Sequence, residues 1–299
     1  MKQRSPLRNR LEWLLVRAML VSLRVGSRDV AFWLSRRYVS LLDAFVPKLR
    51  RVAFRNLSLA LPTLDAAAHA GIVESSFQSV GRLLVALARM PSIRRENISS
   101  WIRYDGLEHF EAAKALGRGV LFATAHLGNW ELSAFAHGLM TEPMHVLVRA
   151  LDNPLLDAEA TRLRTLSGNH VIEKRDYARG ILRALGRNEA VGILIDQNAA
   201  AREGIFVPFF GVPACVSTGF AKIAAHSGAA IIPGFALWSD EEQRYILKFY
   251  PFFHATGDVE ADTRRVHGQL EEVIRAHPGQ WLWMHRRWKT RPEGEPPIY

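Results

Sequence analysis

From residue 120 onward short apolar runs alternate with helix-length amphipathic stretches, and this alternation constrains the fold more than any other feature. Val120–Ala125 reads as a buried strand bounded by Gly119, with a helix over 130–140. His145-Val-Leu-Val-Arg149, His170–Glu173 and Ala190-Val-Gly-Ile-Leu-Ile-Asp196 read as further strands, separated by helices over 154–168 and 177–187. A helix over 217–228, strands over 229–238 and 245–250, and a final helix over 258–277 complete the series. Strands that alternate with helices imply an α/β fold: a mainly parallel central sheet with helices on both faces. No linker, repeat or low-complexity segment divides residues 61–299, which read as one continuous unit.

Residues 1–60 read differently, as an N-terminal amphipathic helical extension. Leu7, Leu11, Leu14, Leu15, Ala18, Met19 and Leu23 fall mostly on one helical face, with Arg8, Arg10, Arg17 and Arg24 around it. Such a helix suits a membrane interface, its apolar face among acyl chains and its arginines among headgroups. Packing on the domain core is the plainer alternative. Pro47–Pro62 is a second basic amphipathic segment, and Asp65 is placed to cap a helix that Pro91 closes. Charge agrees with an anionic partner: 39 Lys and Arg against 29 Asp and Glu give +10. No apolar run reaches the roughly 18 residues of a membrane span. Glu12, Arg17 and Arg24 interrupt the first apolar segment and no small-residue cleavage site follows, so the segment is expected to be retained. The single cysteine, Cys215, excludes an internal disulfide framework and fits a reducing compartment. No Cys/His cluster suggests a metal.

Chemistry concentrates at the ends of the apolar strands, where open α/β sheets gather ligands. His126 follows the first strand, and Glu131 stands five residues on, past the turn Leu127-Gly128-Asn129. On one continuous helix five residues would set the two side chains roughly 140° apart. A turn at Gly128 allows them to meet, with Glu131 holding one ring nitrogen and the other left as a base. A histidine satisfied within the core is the alternative. No G-x-S-x-G nucleophile is present, which favours a base acting directly on a substrate hydroxyl. A backbone amide at Gly128 or Asn129 is the candidate oxyanion donor. Asp196 and Gln197 end the most apolar strand, where the carboxylate either caps a loop or lines the site. Arg149 ends another strand and either binds a phosphate or pairs with a carboxylate such as Asp152; Arg162 and Arg164 read as a solvated face. The Gly204–Pro213 loop, with Phe206, Phe209 and Phe210, either lines a greasy pocket or packs on the core. The Trp281–Pro292 block mixes tryptophans with basic residues, a pattern for nucleic-acid stacking, a membrane interface or a core edge.

Taken together these motifs resemble the bacterial lipid A biosynthesis acyltransferases, the lauroyl/myristoyl group of the lysophospholipid and glycerol-phosphate acyltransferase superfamily. The residues that carry the resemblance are Arg55-Asn-Leu57, His126-Leu-Gly-Asn-Trp-Glu131, Arg149 with Asn153-Pro154, Asp196-Gln197, Val207-Pro-Phe-Phe-Gly211 and Trp281–Pro292. The chain departs from the pattern at Gly81-Arg82-Leu-Leu-Val-Ala86, where relatives often carry a glutamate. The resemblance implies a glycerol-phosphate acyltransferase-like fold with His126 as general base and Glu131 as its orienting partner. It implies substrate contacts by Arg149, Asp196, Gln197, Asn129, Phe209 and Phe210. The donor would be a thioester of acyl carrier protein or coenzyme A, with no further cofactor and no metal. The acceptor would be a hydroxyl of a lipid A precursor or related anionic glycolipid, with mannosylated phosphatidylinositol as an alternative. The protein would work at the cytoplasmic face of the bacterial inner membrane, peripheral or monotopic, and without nucleic acid. A hydrolase using the same His–Glu pair and a basic binding protein are the rival classes.

Overall fold

A computed structural model describes residues 5–173 and 177–299; residues 1–4, at the start of the expected interfacial segment, lie outside it. Four helices come first: α1 (Pro6–Arg24), α2 (Arg28–Phe45), α3 (Pro47–Ala60) and α4 (Ala66–Arg89). Proline opens α1 and α3, where its missing N–H costs nothing. The Asp65 carboxylate accepts the Ala68 amide at 2.7 Å and so caps α4. Then come β1 (Ile102–Asp105), α5 (Leu107–Ala115), β2 (Val120–Thr124), α6 (Trp130–Met140), β3 (Met144–Val148), α7 (Pro154–Thr165) and β4 (His170–Glu173). The remainder is α8 (Tyr177–Gly186), β5 (Ala190–Leu194), β6 (Gly204–Phe209), β7 (Val212–Ser217), α9 (Gly219–Ser227), β8 (Ala230–Ser239), β9 (Arg244–Phe249) and α10 (Val259–Ala276).

Seven of these strands form one sheet in the order β1-β9-β8-β2-β5-β3-β4. The five from β8 to β4 run parallel; β9 turns back antiparallel to β8 and carries β1 beside it. The sheet is thus mainly parallel, with β2 inside it between β8 and β5. Its alternation feeds two cores: Val120 and Phe122 face the helices α1, α4, α5 and α6, while Leu121 and Ala123 face α8 and α9. The N-terminal helices share the first core through Leu20, Leu23 and Ala31. Their outer faces remain bare: Leu15, Trp33 and Phe45 are 72%, 50% and 82% exposed. A third core, past the carboxyl ends of the strands, gathers α3, α4, the β6–β7 hairpin and the C-terminal segment.

Two expectations change here. The Phe-rich segment is no loop at a greasy pocket but an antiparallel hairpin, and Phe209 and Phe210 are buried at 0% and 5% exposure. They pack on Trp281, Trp283 and Trp288 and leave no surface for an acyl chain. These three tryptophans are themselves fully buried, which settles the terminal block as core. At the departure noted in α4, Leu83, Val85 and Ala86 are buried, and a Cβ on the preceding Gly81 would lie 3.2 Å from Ser35 Oγ of α2, so this stretch serves close packing.

Candidate active site

Thr124 and Leu194 pair across β2 and β5. Two residues past each partner lie His126 and Asp196, so parallel register sets imidazole and carboxylate side by side. The Ile195 amide donates to the Thr124 carbonyl at 2.9 Å and extends the pairing toward them. His126 Nδ1 lies 2.9 Å from Asp196 Oδ1, while Asp196 Oδ2 accepts the His126 amide at 3.0 Å and the Trp281 indole N–H at 2.9 Å. An ionised carboxylate only accepts, so Nδ1 carries the proton and Nε2 keeps its lone pair. The Gln197 amide nitrogen approaches that Nε2 to 3.4 Å.

The electrostatics follow. Burial opposes a charge on His126, but Asp196, by charge and hydrogen bond, outweighs it, and the imidazole pKa stands above its ordinary value. Burial also opposes ionisation of Asp196, yet His126, Trp281 and the His126 amide hold its carboxyl far below the usual range. The expected pairing is thereby corrected: Asp196, and not Glu131, holds the imidazole. Glu131 sits in the first turn of α6 and is taken by Arg164 of α7 in a bidentate pair at 2.5 and 2.9 Å. A permanent guanidinium fork satisfies both carboxylate oxygens at once, which a single ring N–H cannot do. Glu131 acts on His126 only through space.

The turn between β2 and α6 is clamped on both sides. The Gly128 amide donates to the Gln280 carbonyl, and the Asn129 amide to the Ala236 carbonyl, both at 2.9 Å. Both candidate oxyanion donors are therefore already spent. Asn129 is fully buried, and its side chain caps α6 through the Leu132 amide at 3.0 Å, so it touches no open space. Gly128 has φ +63°, and a Cβ there would meet the Ala236 oxygen at 1.9 Å. Gly128→Ala is expected to lower stability by about 2 kcal/mol or more, read as a reduced Tm. An unchanged Tm would show that the turn has room to move.

Beside the pair, the Trp130 ring packs edge-on to His126 at 4.9 Å and lines an apolar crevice under α6. Of its lining, Thr124, Leu194, Glu131 and Arg164 are half-buried and so nearest solvent, while Phe122, Met144, Gly192 and Phe249 are buried. His137 also borders it, and burial pushes that imidazole down to about 3, so it adds no charge. Arg149 is absent from this group. Its side chain is 74% exposed and lies 3.6 Å from Asp152, the ion-pair alternative. The structure thus gathers His126, Glu131, Asp196 and Gln197, and leaves Arg149, Asn129, Phe209 and Phe210 without a place at the open site.

Three contributors were not singled out from sequence. Arg164 was assigned to a solvated face, yet its side chain is 22% exposed and anchors Glu131. Trp281 lay within a block of ambiguous character. Arg287 is fully buried and donates to the Gln197 and Cys215 carbonyls at 3.2 and 3.0 Å, fixing the loop after β5. Burial pulls it down to about 10, still protonated near neutrality. Its one readable signal was its place among aromatic residues.

Known proteins resemble this sequence along most of its length. The family model of the bacterial lipid A biosynthesis acyltransferases matches residues 1–290. The chain is 31% identical over 258 residues to the lipid A biosynthesis lauroyltransferase of Escherichia coli strain K12, covering 85% of this chain and 84% of the relative. It is 29% identical to that organism's lipid A biosynthesis palmitoleoyltransferase, over 90% and 88% of the two chains. It is 28% identical to a phosphatidylinositol mannoside acyltransferase of Mycobacterium tuberculosis, over 78% and 75%.

Proposed function

The chain belongs to the bacterial lipid A biosynthesis acyltransferase family, and on that premise we propose that it moves a fatty acyl group from a thioester to a hydroxyl of a lipid A precursor or related glycolipid. Acyl carrier protein or coenzyme A carries the donor. The observation that supports this most is an imidazole fixed by Asp196, whose Nε2 lone pair meets only the long 3.4 Å contact of the Gln197 amide, packed on the Trp130 ring that lines an apolar crevice. A base of that kind suits a hydroxyl nucleophile, and the crevice suits an acyl chain.

In this reading the acceptor hydroxyl donates to His126 Nε2 and its oxygen attacks the thioester carbonyl. The new C–O bond forms, the C–S bond breaks, and the proton taken by Nε2 passes to the leaving sulfur. Asp196 stabilises the transient imidazolium, with Glu131 adding to it through space. Since the Gly128 and Asn129 amides are engaged, the oxyanion falls to the Trp130 and Glu131 amides in the first turn of α6, which have no intrahelical acceptor. Residues 61–299 carry this chemistry. Residues 1–60 provide contact with the cytoplasmic face of the inner membrane through the bare apolar faces of α1 and α2. Arginines Arg17 and Arg37 stack on Trp13 and Trp33 there, as at a headgroup boundary.

The purified chain, supplied with acyl thioester and glycolipid acceptor, should give a product heavier by one acyl group in mass spectrometry. Release of free fatty acid faster than transfer would instead identify a thioester hydrolase. Chain length gives a finer check. Gly192 lies in the crevice, and a Cβ there would approach Met144 Cε at 2.7 Å. Gly192→Val should shift preference toward acyl chains shorter by about two or three carbons, the volume the side chain adds. An unaltered chain-length profile would remove the crevice from the donor's path.

A further inference from the structure

A second cavity opens where the loop after β5 meets α3 and the C-terminal segment. Its walls are the first turn of α3, with Lys48, Leu49 and Val52, and the C-terminal segment Met284-His285-Arg286 with Lys289; Asn198 closes it. Its position ties it to the chemistry. Asn198 directly follows Gln197, which reaches His126 Nε2, and the charge on His126 is felt at His285.

The cavity is basic without compensation. Among the described residues, Lys48, Arg286 and Lys289 have no carboxylate within ion-pair distance, whereas Arg164, which lines the acyl crevice, is paired with Glu131. The acid nearest in sequence to Lys48, Asp43, is taken by Arg50, which also holds Glu74 of α4. α3 adds its own field. Its N-terminus has no side-chain cap and no acidic residue in the first turn. Pro47 has no N–H and the Leu49 amide is taken by the Val46 carbonyl, so the Lys48 amide and the positive dipole end are what stand open. The neutral members are already engaged: Asn198 bonds to Thr290, Ala199 and His285, and the His285 imidazole accepts the Asn198 amide at 3.2 Å. Three unpaired cations and a bare helix end around one cavity favour a multiply charged anion with several acceptor oxygens.

The neighbourhood indicates which anion. Phe45 and Val46, both exposed, lie three and two residues before Lys48, at the end of the apolar face of α2. A molecule whose acyl chains lie along that face would present its headgroup at the level of this cavity. We infer that the Lys48–Arg286–Lys289 cavity binds a phosphate group of the acceptor glycolipid, and so turns the acceptor hydroxyl toward His126. This rests on the glycolipid reading given above and names the feature of the acceptor that the site selects.

The experiment measures transfer kinetics of the full chain and of K48Q/R286Q/K289Q, with a phosphorylated disaccharide glycolipid in detergent micelles and with the same lipid after phosphatase treatment. Removing the three cations should raise KM for the phosphorylated acceptor by about tenfold or more, with a much smaller change in kcat. Parent and variant should become alike on the dephosphorylated lipid, and KM for the acyl thioester should stay unchanged. An equal loss on both acceptors, an unaltered acceptor KM, or a raised KM for the thioester would each overturn the proposal, the last by placing a phosphate of the donor there. Where the parent transfers to neither glycolipid, it is the acceptor reading that fails. The cavity is then judged by sedimentation with vesicles containing phosphatidic acid: selective loss of binding by the variant supports it, and equal binding by parent and variant rejects it.

Discussion

Asp196→Asn is expected to lower kcat for acyl transfer by about 10³- to 10⁴-fold while the chain stays folded. The reason is the arrangement of donors around the carboxylate. Oδ2 accepts two N–H groups, from His126 and Trp281, and Oδ1 faces one ring nitrogen. An asparagine keeps its oxygen where two donors converge, so its NH₂ turns toward His126 Nδ1. That nitrogen must then accept, and the proton moves to Nε2, where the base was. The pH profile supplies a second readout. The neutral imidazole is the active form, and its pKa in the folded protein is raised above the ordinary 6.5. Activity of the parent therefore falls as pH drops through a value above 6.5. In the variant the principal anion that raises it is gone, so the acidic limb of the residual activity moves to lower pH. A variant within tenfold of the parent, with an unmoved limb, would falsify the assignment of Asp196 as the group that fixes the imidazole.

Glu131→Gln is expected to act first on stability, by about 3 kcal/mol, because it strands a guanidinium at the crevice mouth. Both partners are largely covered, with side-chain exposures of 14% for Glu131 and 22% for Arg164. Denaturant midpoints measure this directly. Transfer also falls, since the uncompensated Arg164 charge disfavours the imidazolium. Replacing Arg164 by Met in the same chain removes the stranded charge and should recover most of the lost stability. If Glu131→Gln instead proved as stable as the parent and still lost transfer as fully as Asp196→Asn, Glu131 would belong among the groups that touch substrate.

Most of the sheet was legible because β2, β5 and β8 are continuous apolar runs of strand length, bounded by turn residues. β1 was not: Ile102-Arg-Tyr-Asp105 is a four-residue edge strand, too short and too polar to stand out from its surroundings. The β6–β7 hairpin was hidden by its prolines. Pro208 and Pro213 face each other across the ribbon, and a two-stranded ribbon has free edges on which a missing N–H is tolerated. At the site, His126 and Asp196 could be placed because both end neighbouring apolar strands. The choice between Asp196 and Glu131 as partner could not be made from spacing. It depends on Arg164, 33 residues further along, swinging in from α7, and no local pattern reports that.

The core that holds the C-terminal segment is also the one that finishes the site. The Trp281 indole holds Asp196, the Leu282 amide donates to the His126 carbonyl, and the Gln280 carbonyl receives the Gly128 amide. All three contacts come from the consecutive residues Gln280, Trp281 and Leu282, and Trp281 follows Asp196 by 85 residues. During synthesis the sheet, the histidine and the aspartate emerge well before the segment that locks them in place. A nascent chain thus holds its reactive groups unassembled until the Trp281 segment has emerged, and a ribosome that stalls short of it leaves behind a fold without a set imidazole.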